Sequence, residues 1–168
     1  MRLRLFECKI VVEYNAGCAV KVLIVYDSLY GNTEEIARAI GGAITGDVKV
    51  LRVGEVNPSE LKGFDLLIIG SPTQGGGPTP SIKDFLNKIP ELSLQGINIA
   101  VFDTRMTTKF VGIFGYAAGR IAGSLKGKGS TLAVPPEGFF IKGTQGPLKE
   151  GELERAVAWA KAIIENKK

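Results

Sequence analysis

The sequence predicts an α/β protein: a three-layer, doubly wound parallel sheet of five strands in the order 2-1-3-4-5. Three observations carry that expectation. Short apolar runs rich in β-branched residues read as strands buried on both faces, the most apolar being Phe64-Asp65-Leu66-Leu67-Ile68-Ile69-Gly70. Between the runs, apolar residues recur at helical spacing, so strands alternate with crossover helices. The turn after the first strand is rich in small and hydroxyl residues, as a ligand-binding strand-to-helix turn would be.

The elements follow in order. Residues 1–19 alternate Phe6, Cys8, Ile10, Val12 and Tyr14 with Leu5, Glu7, Lys9, Val11 and Glu13, a period of two. We read them as a non-essential N-terminal extension, with an added edge strand as the alternative, and residues 20–168 as a single domain. Glu7, Lys9 and Glu13 interrupt any signal-peptide core. Val22 to Tyr26 is the first strand. Glu34 to Ile44 is a helix, with Ile36, Ala37, Ile40, Ala43 and Ile44 on one face. Asp47 to Val53 is the second strand, and Asn57 to Leu61 a short helical turn opened by Pro58. After the apolar third strand, Ser81 to Ile89 is a helix capped by Thr79 or Ser81 and stopped by Pro90. Ile97 to Phe102 is the fourth strand, Tyr116 to Lys126 a helix and Ser130 to Val134 the fifth strand. Glu150 to Glu165 closes the chain as a helix, with Trp159 packing beside its apolar face.

Composition narrows the chemistry. The 168 residues suit one domain with a proper core. No run approaches the ~18 apolar residues of a membrane span. The two cysteines, Cys8 and Cys18, precede the first confident strand, so a disulfide framework does not hold the core and a reducing cytoplasm is the expected home. The chain has no histidine, which removes histidine acid–base chemistry, His-dependent triads and most zinc sites. No catalytic side chain and no metal ligand set is expected.

The stretch Asp27-Ser28-Leu29-Tyr30-Gly31-Asn32-Thr33 is the informative one. It opens a helix, where unpaired N–H groups and the helix dipole favour an anion. Ser28 and Thr33 add hydroxyls, Asn32 reads as the N-cap, and Gly31 permits close backbone approach. The turn lacks both the Lys-Ser/Thr of a triphosphate loop and the G-x-G-x-x-G dinucleotide fingerprint. A neutral, hydroxyl-lined turn suits a single terminal phosphate; an ordinary capped loop is the plain alternative.

Ser28 to Thr33 resembles the FMN phosphate loop of flavodoxins, Ser/Thr-x-Thr-Gly-Asn-Thr, with Tyr30 where Thr is usual. The resemblance runs over residues 20–168 and implies FMN as cofactor. Ser71-Pro72-Thr73-Gln74-Gly75-Gly76-Gly77-Pro78 is similar to the Pro-Thr-x-x-Gly loops that contact the isoalloxazine in that family. Asp103, Thr104 and Arg105 open the third loop, at the place of the family's second ring-contacting loop. The implied cofactor residues are therefore Ser28, Leu29, Tyr30, Gly31, Asn32, Thr33, Pro72, Thr73, Gln74, Gly75, Gly76, Asp103, Thr104 and Arg105. Neither ring loop supplies the Trp and Tyr that many flavodoxins stack on the flavin; Phe110 and Phe114 are the aromatics at hand. Asp103 and Arg105 pairing with each other is as good a reading as a flavin contact.

Charge departs from the acidic flavodoxins that the chain resembles: 21 Lys+Arg face 17 Asp+Glu, and Thr104 to Pro136 holds no acidic residue. Such a run is usually a solvated face. The alternative is an anionic partner, either an acidic redox protein or the phosphates of NAD(P)H. Nothing supports nucleic acid. Three functions stay in view for a monomer or dimer. An FMN electron carrier leads; an FMN-dependent NAD(P)H:quinone-type oxidoreductase and a cofactor-free binding module follow.

Overall fold

The computed structural model describes residues 19–107 and 115–166. The expectations for residues 1–18, including both cysteines, and for Lys109, Phe110 and Phe114 lie outside the described residues. Six strands and four helices are described: β1 (Lys21–Tyr26), α1 (Asn32–Ala43), β2 (Asp47–Arg52), β3 (Leu66–Pro72), α2 (Pro80–Lys88), β4 (Asn98–Met106), α3 (Ala117–Lys126), β5 (Thr131–Leu132), β6 (Glu137–Ile141) and α4 (Glu152–Glu165). The parallel order β2-β1-β3-β4-β5 matches the expected topology, with β6 also on β4.

Alternation along the strands builds two cores. Leu23, Val25, Leu67 and Ile69 pack against α2 and α3 on one face; Val22, Ile24, Leu66 and Ile68 pack against α1 and α4 on the other. Buried on both sides, these strands have no solvent face, hence their continuous apolar sequence. Trp159 packs in the second core, edge-on to Phe102 and Phe139 at centroid distances of 6.1 and 6.0 Å. Gly70 pairs with Phe102 on the adjacent strand, and a Cβ there would overlap the Phe102 ring.

Three corrections matter for the site. The edge strand is divided. Ser130 to Val134 shrinks to β5, two residues beside the start of β4. The chain then passes Pro135-Pro136, which lack the N–H groups a ladder needs, and resumes as β6 along the end of β4. β4 itself runs on to Met106, because β6 gives its last residues a partner; Asp103, Thr104 and Arg105 therefore lie on a strand rather than a loop. The Asn57–Leu61 segment is not helical. Val53–Glu55 forms one 3-10 turn and Asn57 closes a turn to Glu60, so the second crossover carries no α-helix. Other boundaries move by a few residues, with Thr79 the cap of α2.

Candidate functional site

Beyond the carboxyl ends of β1, β3, β4 and β6 lies a cavity of about 680 Å³, within the ordinary range for small-molecule sites. Its walls are Leu29 and Tyr30 from the first turn, Pro72 to Gly76 from the second, Thr104, Arg105 and Met106 from β4, Ile141 from the end of β6 and Thr144 from the loop after it. A small recess shares Leu29, Tyr30, Pro72, Thr104, Ile141 and Thr144 with the cavity. It adds Ser28, Asn32 and Thr33, so it sits at the start of α1. There the first amides of the helix have no intrahelical acceptor and the dipole is positive.

The turn is held from behind. Asp27, 7% exposed, accepts the Ser28 N–H at 2.9 Å and the Thr79 hydroxyl at 2.7 Å, tying the first turn to the end of the second loop. Arg52 donates to the Ser28 carbonyl and stands 3.7 Å from Asp27. Ser28 Oγ accepts from the Gly31 N–H at 3.1 Å, leaving its own O–H to donate. Thr33 and Thr104 share a hydroxyl hydrogen bond of 2.8 Å at the floor of the recess.

The N-cap is not Asn32. Gly31 takes that place at φ 93°, and Asn32 begins the helix. A backbone at positive φ favours glycine. The Asn32 amide, freed from capping, donates 3.0 Å to the Gln145 carbonyl.

The second loop gives the cavity a bare floor. Gly75 and Gly76 have φ of 52° and 76°, and no atom lies within 4 Å of where a Gly75 Cβ would stand. Gln74 and Gly77 close the turn by exchanging backbone hydrogen bonds of 2.8 and 3.0 Å. Thr73 also reaches α3: its hydroxyl accepts the Ala117 N–H at 3.0 Å and so caps that helix.

Asp103 and Arg105 do pair. Asp103 is fully buried; it accepts Arg105 Nε at 2.5 Å and the Ala118 N–H at 2.9 Å. Burial pushes its carboxyl above the usual range, with the Ala118 amide and Arg105 opposing. The Arg105 guanidinium stacks 3.6 Å from the Tyr116 ring centroid, and its other face lies where a Gly138 Cβ would be. Arg105 therefore reaches the cavity as a clamped, charge-balanced wall, while Asp103 stands behind it.

Of the residues singled out in the sequence, nine line the cavity: Leu29, Tyr30, Pro72, Thr73, Gln74, Gly75, Gly76, Thr104 and Arg105. Ser28, Asn32 and Thr33 line the recess; Gly31 shapes the turn. Met106, Ile141 and Thr144 were not legible in the sequence, because β6 and the end of β4 form only by pairing with each other. The Phe139-Phe140-Ile141 run after Pro135-Pro136 was the available signal.

A doubly wound sheet with a helix-start recess opening into a glycine-floored cavity at its switch point defines a mononucleotide-binding α/β protein. The flavodoxin family model matches residues 24–159. The chain belongs to the flavodoxin family, whose members bind FMN and transfer electrons. It is 33% identical over 86 residues to the probable flavodoxin 1 of Bacillus subtilis, a match covering 49% of this chain and 54% of that protein. It is 28% identical over 127 residues to flavodoxin 1 of Salmonella typhimurium, covering 73% and 72%. The structure is similar to oxidised flavodoxin 2 from Bacillus cereus, with TM-score 0.73 and 27% identity over 87% of this chain and 99% of that one. The chain thus spans about half the length of its Bacillus subtilis relative. Among the described residues, no helix is long and apolar enough to cross a membrane, and no cluster of metal-ligating side chains occurs.

Proposed function

We propose that the protein is an electron carrier whose cavity holds FMN, with the phosphate in the recess and the ring system against the glycine floor. The observation that carries this reading is the shared wall of the two spaces: the recess at the α1 N-terminus, lined by Ser28, Asn32 and Thr33, has Leu29, Tyr30, Pro72, Thr104, Ile141 and Thr144 in common with the cavity. The donor set fits a phosphate. The Asn32, Thr33 and Glu34 amides head the helix, Ser28 has a hydroxyl to donate, and the turn holds no carboxylate that faces the recess. The floor fits a flat ring, since a Cβ at Gly75 would project into open space.

FMN, when bound, supplies the redox chemistry of its isoalloxazine. The chain's own part is to bind, orient and shield. Asp27, Thr79 and Arg52 hold the turn in shape. Thr104 and Thr33 fix the recess floor, and the clamped Arg105 places a cation in the cavity wall. None of these steps needs a side-chain acid or base, in keeping with the absence of histidine. A reducing cytoplasm suits such a carrier.

The test is the visible spectrum of the purified protein before and after FMN, then after NADPH. Flavin bands at about one per chain, unbleached by NADPH, are the expected result. Direct bleaching would favour an NAD(P)H-dependent oxidoreductase instead, and a protein that takes up no FMN overturns the flavin reading.

A further inference from the structure

We propose that the mouth of this cavity is a docking surface for a partner protein with an acidic face, an inference that rests on the carrier reading. The segments around the mouth, residues 28–31, 73–78, 104–107 and 141–149, contain no Asp or Glu. Cations stand on more than one side of it. Lys83 lies beside Gly77: a Cβ there would be 3.8 Å from Lys83 Cε. Gly77 directly follows the cavity-lining Gly75 and Gly76. Beyond the end of β4, Lys149 Nζ donates at 2.7 Å to Thr107, the residue after the cavity-lining Met106.

Several nearby carboxylates are buried or already paired, Glu34 with Arg38 among them; Glu35, in the first turn of α1, is exposed. Asp27 and Asp103 are buried. Asp84 is 2.7 Å from Lys88, and Arg155 holds Glu137 and Glu152 at 3.0 and 2.7 Å. Glu150 stands 3.7 Å from Lys142. Meanwhile the mouth exposes two large apolar side chains, Leu29 at 52% and Tyr30 at 57%. Apolar anchors among charges of one sign have the composition of a protein contact. The one-signed field would steer an oppositely charged partner toward the cavity. A dinucleotide phosphate needs cations gathered at one point. Here they are spread over α2 and the segment after β6, which fits an extended acidic face.

The experiment uses cytochrome c as a cationic probe and its lysine-succinylated form as an anionic probe of the same fold. Each is titrated calorimetrically into the FMN-treated protein at about 20 and 200 mM salt, where Debye screening differs strongly. The succinylated form should bind roughly tenfold tighter or more at low salt, and lose most of that advantage at high salt. Combining Lys83→Glu with Lys149→Glu should abolish the preference, and the milder Lys83→Gln with Lys149→Gln should reduce it. Lys62→Glu, at the amino ends of the strands, should leave it unchanged. Unchanged circular dichroism in the glutamine pair separates loss of docking from loss of fold. Equal or tighter binding of native cytochrome c overturns the proposal, as does a double variant that keeps the parent's preference. So does a variant pair that loses NADPH binding while still binding the succinylated probe. Flavin absorbance of the same samples tests the carrier reading separately, since the calorimetric signal does not depend on bound FMN.

Discussion

The Asn32 amide donates 3.0 Å to the carbonyl of Gln145, joining residues 113 apart in the chain. The bond fastens the loop after β6 against the head of α1 and closes the side of the recess. A Cβ at Gly146 would overlap Asn32 Oδ1, so the fit between the two segments is close.

Asn32→Ala should therefore act on stability and on cofactor affinity together. Loss of one neutral hydrogen bond costs about 1 kcal/mol, read as a lowered urea midpoint. The loosened recess should weaken FMN binding by roughly a further tenfold, the equivalent of 1.4 kcal/mol, measured by quenching of flavin fluorescence. Affinity equal to the parent's would show that the loop plays no part in the site.

Gly70→Ala tests the packing beneath the site. The added methyl meets the Phe102 ring, which is fully buried and edge-on to both Phe139 and Trp159. Overpacking of this kind costs about 1–3 kcal/mol. The expected outcome is a lower melting temperature with altered Trp159 fluorescence, since Trp159 is the chain's single tryptophan.

Asp103→Asn separates burial from pairing. Burial raises the Asp103 carboxyl in the folded state, so the fold binds its proton more tightly than the unfolded chain does. Its contribution to stability is greatest below the ordinary aspartate value of about 3.9. That contribution then declines as pH rises through the folded pKa. The stability difference between parent and Asp103→Asn, followed by urea denaturation, should accordingly shift against the parent over that interval and level off above it. A flat difference would remove the assignment.

Arg105→Gln removes the cation from the cavity wall. A positive charge beside the cofactor favours its more negative, reduced form, so the variant's midpoint potential should fall. The fall should be modest, on the order of tens of millivolts, because Asp103 already balances much of the charge. Potentiometric titration of the loaded protein reads it directly. An unchanged or raised midpoint would exclude Arg105 from tuning the flavin.

Much of this molecule is legible from one dimension. The apolar runs at Val22–Tyr26 and Leu66–Ile69 are continuous because both sheet faces are covered, and the helical spacing of Ile36, Ala37 and Ile40 marks the covering layer. Those local patterns determine the alternation of elements, and the alternation leaves few topologies. The sequence also marked the strand-to-helix turn at Ser28–Thr33 and the glycine loop, because backbone conformation there depends on residue type.

What tertiary structure decided is where long-range pairing outweighs local preference. Asn32 reads as a cap, yet Gly31 holds that position and Asn32 reaches Gln145. Asp103 to Met106 read as the opening of a loop, but β6 offers them hydrogen-bond partners and they become strand. That exchange buries Asp103 against Ala118 and turns Arg105 toward the cavity. It also brings Ile141 and Thr144 into the site wall. Backbone groups satisfied by a segment more than thirty residues away leave no periodic trace in the sequence, so these positions emerge only when the sheet closes.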